Sequence, residues 1–350
     1  MLVLPDVGCR LGDVARIRVA EESGSAVEVA VELGYAAGTQ LTDYSGLVAE
    51  AIRRAAPGAD PKVTMTCRVT SHGVQRTLKP LENVRNIVAV ASGKGGVGKS
   101  TTAANLALAL QIEGGRVGML DADIYGPSQP LMFGLTGQRP TSEDGKSMNP
   151  LIGHGVQVMS IGFLIDADQP MVWRGPMVTS ALVQLLQQTQ WDDLDYLVVD
   201  MPPGTGDIQL TLSQQVPVSG AVIVTTPQDI ALLDARKGLQ MFRKVGVPVL
   251  GIVENMSTHI CSNCGHEEPI FGTGGGGRMA AEYGVELLGQ LPLSLDIREQ
   301  TDSGRPTVVA APDSPQAAIY RRTARRMGAR LASQGRDYSH RFPKIVVEES

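Results

Sequence analysis

The segment from Asn86 to Thr102, NIVAVASGKGGVGKSTT, contains the residues whose types and spacing point most directly to chemistry. Four of them fit the pattern G-x-x-x-x-G-K-[ST], known as the P-loop: Gly93, Gly98, Lys99 and Ser100. Glycines let the backbone turn successive N–H groups towards a phosphate chain, and the helix expected after the loop adds its positive end. We therefore predict that this segment binds a nucleoside triphosphate, with Lys99 on the β- and γ-phosphates and the Ser100 hydroxyl on Mg²⁺.

The predicted nucleotide contacts include the whole loop and the start of the following helix. These residues are Gly93, Lys94, Gly95, Gly96, Val97, Gly98, Lys99, Ser100 and Thr101. Lys94 has no place in the simplest P-loop, because a lysine directly after the first glycine points away from the phosphates held by its own loop. Lys94 is therefore either a solvated surface lysine or a residue that reaches another partner.

Aspartates follow two further apolar runs that are typical of buried strands. RVGMLDAD ends in Asp121 and Asp123, and LDYLVVD ends in Asp200. Alternate residues of a strand face the same way, so Asp121 and Asp123 can both point at one metal–nucleotide site, although an aspartate at a strand end can also cap a turn. An aspartate after an apolar strand is the Walker B arrangement, in which Asp200 holds Mg²⁺ directly or through water.

Cys261 and Cys264 stand in C-x-x-C spacing within CSNCGHEEPIFGTGGGG. Two thiolates at this spacing can bind one metal ion or one edge of a cluster, but either task normally needs four ligands. The other two cysteines, Cys9 and Cys67, do not form a second such pair. A symmetric dimer would bring four loop cysteines together at its two-fold axis. From the residues alone, an iron–sulfur cluster, a shared zinc ion, a zinc site that includes His266, a redox dithiol and a plain structural role all stay open.

The elements that must position these residues are predicted from the alternation of strand and helix patterns between Asn86 and about residue 333. This alternation predicts an α/β fold with a mostly parallel sheet covered by helices. Seven runs are predicted as strands: NIVAVA, RVGMLDAD, GVQVMSI, LDYLVVD, GAVIVTT, VPVLGIVEN and VELLGQLP. Ligands of such sheets collect at the carboxyl ends of the strands. The basic helical segment 314–333 is expected to be the closing helix of the fold.

We divide the chain into a small α+β domain (residues 1–75), a polar linker (76–85), the P-loop domain (86–335) and a loose tail (336–350). The small domain is predicted as strand, strand, helix and strand from VARIRVA, AVEVAVEL, SGLVAEAIRRAA and KVTMTCRV. The glycine run 272–277 is predicted to be a flexible hinge beneath the cysteine loop rather than a second phosphate loop.

Composition excludes several classes of function. Charged residues make up 19% and aromatic residues 4% of the 350 residues, and 40 glycines suit a loop-rich α/β enzyme. A net charge of −5 without a dense Lys/Arg tract argues against a nucleic-acid partner. No apolar run approaches the ~18 residues of a membrane-spanning helix, and no secretory signal is visible, so we expect a cytoplasmic protein without a membrane partner.

The motifs between residues 84 and 330 resemble one family in order and spacing. SGKGGVGKST resembles the deviant Walker A motif of the MinD/Mrp branch of SIMIBI P-loop NTPases. Five later segments resemble the Mrp/ApbC (Nbp35-like) iron–sulfur cluster carriers: DADIYGPSQP, IGFLIDADQPMVWRGPM, DMPPGTGDIQLTL, VTTPQDIALLDARKG and VENMSTHICSNCGHEEPIFGTGG. Residues 1–75 resemble a degenerate MIP18-like domain. They lack that family's cysteine at the start of the helix, so the role of that cysteine does not carry over.

The resemblance implies a homodimeric ATPase with ATP and Mg²⁺ as cofactors and a labile 4Fe-4S cluster bound by Cys261 and Cys264 of both subunits. Such a protein receives its cluster from an assembly scaffold and passes it to recipient apoproteins. Hydrolysis is expected to be slow. The family's catalytic positions correspond to Lys99, to Lys94 reaching the nucleotide of the facing subunit, and to Asp123 orienting the attacking water.

The resemblance also implies binding roles outside the P-loop. Asp121 would lie near the Mg²⁺ held by Ser100 and Asp200. The Gly204 N–H would contact the γ-phosphate, and Asn255 and Pro292 would frame adenine, although Asn255 could equally be a hydrogen-bonded loop amide. The alternative function is a MinD/ParA-like switch in positioning or scaffolding, which would need a C-terminal amphipathic helix or a basic surface. A zinc-bridged ATPase dimer is a further alternative.

Overall fold

The computed structural model describes residues 2–23, 25–75, 78–164 and 175–335. The predicted tail, residues 336–350, lies outside the described residues, and so does most of the segment IGFLIDADQPMVWRGPM.

The N-terminal region forms a small α+β unit with its own sheet. Its elements are β1 (Val3–Leu4), β2 (Cys9–Arg10), α1 (Leu11–Val14), β3 (Ala15–Ser23), β4 (Ala26–Leu33), α2 (Leu41–Ala55) and β5 (Asp60–Cys67). β3 pairs antiparallel with β4, and β4 pairs parallel with β5. The predicted order of strand, strand, helix and strand is confirmed. The β1–β2 hairpin and α1 were not predicted, because elements this short carry too little pattern.

The rest of the described chain forms a second, larger α/β unit. Its elements are β6 (Ile87–Ala91), α3 (Lys99–Ile112), β7 (Val117–Asp121), α4 (Gln129–Met132), β8 (Leu151–Gly153), β9 (Val156–Ser160), α5 (Gly175–Gln188), β10 (Tyr196–Asp200), α6 (Asp207–Gln215), β11 (Gly220–Thr225), α7 (Asp229–Lys244), β12 (Val249–Glu254), β13 (His259–Ile260), β14 (Glu267–Glu268), α8 (Gly275–Tyr283), β15 (Glu286–Gln290), α9 (Leu295–Asp302), α10 (Thr307–Ala310) and α11 (Pro315–Ala332).

Eight strands form one sheet in the order β15-β12-β11-β6-β10-β7-β9-β8. All neighbours pair parallel except β8, which is antiparallel to β9. The seven predicted strands are confirmed, and the short edge strand β8 was missed. β6, β7, β10 and β11 are buried along their whole length. Helices cover both faces of such a sheet, which explains the continuous apolar runs.

The sheet register fixes the site. Asp200 at the end of β10 lies opposite Asp121 at the end of β7 and opposite Val90 of β6, directly before the P-loop. The carboxyl ends of three neighbouring strands therefore meet at one edge, as the alternating pattern predicted.

The two units pack together through α11. Ala329 and Ala332 of this helix belong to the apolar core of the N-terminal unit, while Met327 and Leu331 belong to the core of the larger unit. The segment predicted as the closing helix therefore forms that helix and contributes to both cores.

Candidate functional site

The P-loop connects the end of β6 to the first turn of α3, and its shape depends on glycine. Gly96 and Gly98 have φ angles of 81° and 77°, a left-handed conformation that L side chains rarely adopt. A Cβ on Gly93 would lie 2.1 Å from the carbonyl carbon of Asp234 in α7. A Cβ on Gly98 would lie 2.1 Å from Nδ2 of Asn255. The loop is thus pressed closely against two neighbouring segments.

Lys99, the first residue of α3, connects the P-loop to the aspartates. Its buried ammonium pairs with Oδ1 of Asp200 and lies 4.0 Å from Oδ2 of Asp123. It also lies 3.2 Å from the Ser100 hydroxyl. The structure therefore brings together the lysine, the hydroxyl and two carboxylates singled out in the sequence.

Asp121 lies at the same strand edge and is fully buried. Its Oδ1 accepts from the Asp123 N–H at 3.2 Å, and its Oδ2 accepts from the Gln129 N–H at 3.1 Å and the Ser160 hydroxyl at 3.0 Å. Burial and the nearby charge of Asp200 raise the pKa of Asp121. Burial also raises the pKa of Asp123, although the Lys99 ammonium opposes that shift. Carboxylates crowded in this way are an environment that favours a bound cation.

Gln129, the first residue of α4, is a site residue that the sequence did not reveal. Its Nε2 donates to Oδ2 of Asp200 at 2.8 Å and to the Ser100 carbonyl at 3.2 Å. Its Oε1 is buried and has no hydrogen-bond partner among the described residues. Gln129 lies in the segment DADIYGPSQP, shortly after Asp121 and Asp123, but no P-loop, Walker B or periodicity signal assigns a role to this position.

The donor set fits Mg²⁺ bound together with a nucleotide. Within the described residues, no group of three or more His, Cys, Asp or Glu side chains could hold a metal ion on its own. Mg²⁺ does not need such a cage, because it usually takes one or two carboxylates, phosphate oxygens and several waters. Ser100 and Asp200 can supply the protein oxygens, and the unpaired Oε1 of Gln129 shows that the site has an unused polar atom.

Two further predicted residues flank the loop. The Lys94 side chain is exposed, so it is accessible to a second molecule. Gly204, in the loop after β10, has a φ of 97°, and its N–H donates to the Ser92 carbonyl at 3.1 Å. Gly204 therefore lies against the P-loop, and its N–H must leave Ser92 before it can bind a phosphate.

Asn255 directly follows β12, and Pro292 lies two residues after β15. These strands are on the side of β6 opposite to β10 and β7, and both residues are buried. Asn255 Nδ2 donates to the Val97 carbonyl at 2.9 Å. Asn255 is therefore a hydrogen-bonded loop amide, which was one of its two predicted roles, and its partner is the P-loop itself.

The cysteine pair lies on a small antiparallel hairpin formed by β13 and β14. Cys261 is partly exposed and Cys264 is exposed. The Cys261 N–H donates to the His266 carbonyl at 3.0 Å, and N–H groups of Asn263 and Cys264 facing the Cys261 sulfur lower its pKa. These contacts favour the thiolate, which is the form that binds metal.

Backbone hydrogen bonds connect this hairpin to the segment of Pro292. The Ile260 N–H donates to the Leu293 carbonyl at 3.1 Å, and the Leu293 N–H donates to the Thr258 carbonyl at 2.7 Å. The chain around Pro292 is therefore paired with the strand that leads directly into Cys261.

The expectation that residues 272–277 form a hinge is wrong for the last three glycines, which form the first turn of α8. A Cβ on Gly275 would lie 2.8 Å from the Pro227 carbonyl oxygen. The Gly276 N–H donates to the buried carboxylate of Glu254, at the end of β12. Close packing, rather than flexibility, accounts for glycine at Gly275.

Among the described residues, no helix combines the length and the apolar character needed to cross a bilayer.

Comparison with known proteins gives consistent matches. The family model described as "NUBPL iron-transfer P-loop NTPase" matches residues 83–328. The iron–sulfur cluster carrier protein of Pseudomonas fragi is 66% identical over 264 residues, which cover 75% of this chain and 92% of that protein. The protein of the same name from Haemophilus influenzae is 52% identical over 319 residues, covering 91% of this chain and 86% of the relative.

Solved structures show the same fold. A nucleotide-binding protein from Archaeoglobus fulgidus in complex with ADP is 36% identical, with a TM-score of 0.60, covering 68% of this chain and 93% of that one. The cell-division ATPase MinD of Pyrococcus furiosus is 23% identical, with a TM-score of 0.52, covering 69% of this chain and 98% of its own. The MinD likeness concerns the fold alone.

Proposed function

The chain belongs to the family of NUBPL-type iron-transfer P-loop NTPases, the iron–sulfur cluster carriers, and we propose that it hydrolyses ATP and carries a 4Fe-4S cluster between two subunits. One observation carries the proposal. The segment that leads into the two-thiol hairpin begins at Asn255, whose Nδ2 donates to the P-loop carbonyl of Val97 at 2.9 Å. A change in the nucleotide site therefore has a short backbone path to Cys261.

The proposed nucleotide chemistry uses the P-loop and the residues gathered around Lys99. Backbone N–H groups of residues 93–101 bind the phosphates, Lys99 exchanges its pairing with Asp200 for the phosphate oxygens, and Asn255 and Pro292 border adenine. Mg²⁺, held by Ser100 and Asp200 with Asp121 nearby, neutralises phosphate charge when bound.

Hydrolysis needs three further groups. The Asp123 carboxylate, near the lysine, orients the attacking water. Gly204 directs its N–H at the γ-phosphate after leaving the Ser92 carbonyl. Lys94, exposed at the loop, reaches the nucleotide of the facing subunit and adds positive charge there.

The cluster is cargo rather than a resident group, and it requires a homodimer. One chain offers Cys261 and Cys264, while Cys9 is buried and Cys67 lies in β5 of the other unit. Four thiolates are the usual ligand set of a 4Fe-4S cluster, so two hairpins must meet. Only two ligands from each chain make the cluster easy to release, which suits transfer from an assembly scaffold to recipient apoproteins in the cytoplasm.

The N-terminal unit, proposed as the domain of residues 1–75 with 76–85 as linker, has no cluster role in this scheme. A MinD/ParA-like membrane switch is less well supported, because α11 is packed into both cores rather than left as a free amphipathic helix.

Anaerobic reconstitution with iron counted per dimer tests the proposal, with and without competing Zn²⁺. We expect about four irons per wild-type dimer and an absorbance band at about 400 nm. Cys261→Ala and Cys264→Ala should lose the cluster while binding nucleotide normally, and Cys67→Ala is the matched control that should keep it. A strictly monomeric protein at saturating nucleotide that takes up no iron would overturn the proposal. Preferential loading of one zinc per dimer would favour the zinc-bridged alternative.

A further inference from the structure

We propose that Gln129 is a positioning residue of the magnesium site and that its amide oxygen accepts a hydrogen bond from a water bound to Mg²⁺. The inference rests on the proposed function only in requiring that Mg²⁺ and a nucleotide bind at the P-loop. It needs neither the cluster nor the dimer.

The orientation of the amide follows from its neighbours. Gln129 is 0% exposed, and its Nε2 faces two acceptors, Oδ2 of Asp200 at 2.8 Å and the Ser100 carbonyl at 3.2 Å. The flipped amide would place an oxygen against both acceptors, which would repel it. The nitrogen is therefore fixed at Asp200 and Ser100, and the amide oxygen must point elsewhere.

The described residues supply no donor to this oxygen. Oε1 of Gln129 and Oγ of the preceding Ser128 are both buried, and neither has a hydrogen-bond partner within the described part of the chain. Buried polar atoms are nearly always paired, so two consecutive exceptions beside a nucleotide site indicate that a partner arrives on binding. The two residues are adjacent at the start of α4, shortly after Asp123.

Water on Mg²⁺ has the chemistry of that partner. Mg²⁺ loses its waters reluctantly and keeps several when it binds a nucleotide, and each of these waters is a strong donor in need of an acceptor. Asp200, the proposed magnesium ligand, is already bonded to the Gln129 amide. Gln129 therefore holds Asp200 with its nitrogen and leaves its oxygen for a water of the same ion.

A second contact connects Gln129 both to the end of β7 and to the first turn of α3. Its backbone N–H donates to Oδ2 of Asp121 at 3.1 Å, while its side chain reaches the Ser100 carbonyl in the P-loop helix. Gln129 thus connects the magnesium site both to α4 and to the segment that carries Asp123.

The test measures the Mg²⁺ dependence of nucleotide binding in the full-length protein, using a fluorescent ADP analogue. Gln129→Met removes donor and acceptor with little change in volume. Gln138→Met, at an exposed loop position, is the control. Thermal melting of each variant checks that it is folded.

With EDTA present, the dissociation constant of Gln129→Met should stay within about twofold of wild type, because the P-loop itself is unchanged. The Mg²⁺ concentration for half-maximal enhancement should rise about tenfold, because the bound water loses its acceptor and Asp200 loses the amide that positions it. A purely packing role would raise the dissociation constant equally with EDTA and with Mg²⁺.

An equal loss of nucleotide affinity with and without Mg²⁺ in Gln129→Met would overturn the inference, and so would an unchanged Mg²⁺ dependence. Either result would leave the proposed function intact. A wild-type protein that binds no nucleotide would overturn both. Gln129→Met should take up iron as the wild type does, so a failure at Cys261 and Cys264 would be separate and recognisable.

Discussion

The Nη1 atom of Arg325 donates to Oε1 of Glu113 at 2.6 Å. Glu113 directly follows the last residue of α3, the helix that begins at the P-loop. The same guanidinium donates through Nε to Oδ2 of Asp6 at 2.8 Å. The Thr39 N–H donates to the other Glu113 oxygen at 3.1 Å. A single buried arginine thus joins the N-terminal unit to the far end of α3.

We predict that Arg325→Met destabilises the whole protein. Removing one partner from a buried ion pair leaves uncompensated charges on Glu113 and Asp6, which costs about 3–5 kcal/mol. Chemical unfolding should show this loss. Arg322→Met, at an exposed position of the same helix, is the matched control and should change stability by no more than about 0.5 kcal/mol. If both variants unfold at the wild-type midpoint, the bonds of Arg325 with Glu113 and Asp6 do not hold the two units together.

The contact between Gly93 and Asp234 predicts a contrast between two P-loop glycines. Gly93→Ala places a methyl group 2.1 Å from the α7 backbone, whereas the nearest atom to a Cβ on Gly95 is 3.9 Å away. Overpacking against rigid backbone costs about 1–3 kcal/mol and displaces the loop. We expect Gly93→Ala to lower the melting temperature and abolish nucleotide binding, and Gly95→Ala to melt like the wild type. Equal melting temperatures would show that the close approach of Gly93 to α7 does not hold the loop in place.

The hydrogen bond from Asn255 to Val97 predicts a role in nucleotide affinity. Asn255→Ala leaves the buried Val97 carbonyl without its donor, which costs about 1–3 kcal/mol, so the dissociation constant for nucleotide should rise about tenfold or more. Equilibrium titration with a fluorescent nucleotide measures this. Asn149→Ala, which removes a bond in an exposed loop, should bind as the wild type does. An unchanged affinity in Asn255→Ala would show that the P-loop keeps its shape without this bond.

Several parts of this molecule could be predicted because local patterns specify them. The strand before the P-loop and those ending in Asp121 and Asp200 are continuous apolar runs, and such runs mark buried parallel strands. The same pattern placed Lys99, Asp123 and Asp200 at one sheet edge, where the structure brings them together.

Other features depend on contacts that no local pattern records. Gln129 is recognisable as a site residue only when its contacts with Ser100 and Asp200 are known. Arg325 pairs with Glu113, which is 212 residues away in the sequence. The three-residue strand β8 is too short for any periodicity to appear. The last glycines of the 272–277 run were misinterpreted because a glycine needed for close packing and one needed for flexibility look the same in a sequence.

The burial of Cys9 and the partial burial of Cys67 predict selective alkylation of the cluster-free protein. Burial raises the pKa of both thiols, so at pH 7.5 they hold less of the reactive thiolate than an ordinary cysteine, while Cys261 and Cys264 lie on an accessible hairpin. Iodoacetamide followed by peptide mass spectrometry should find Cys261 and Cys264 modified first. Modification of Cys67 should increase as the pH rises towards its raised pKa, and in guanidinium, where burial is lost, all four should react at similar rates. Cys9 or Cys67 reacting as fast as Cys264 in the folded protein would show that burial does not protect these two thiols, and the prediction would be wrong.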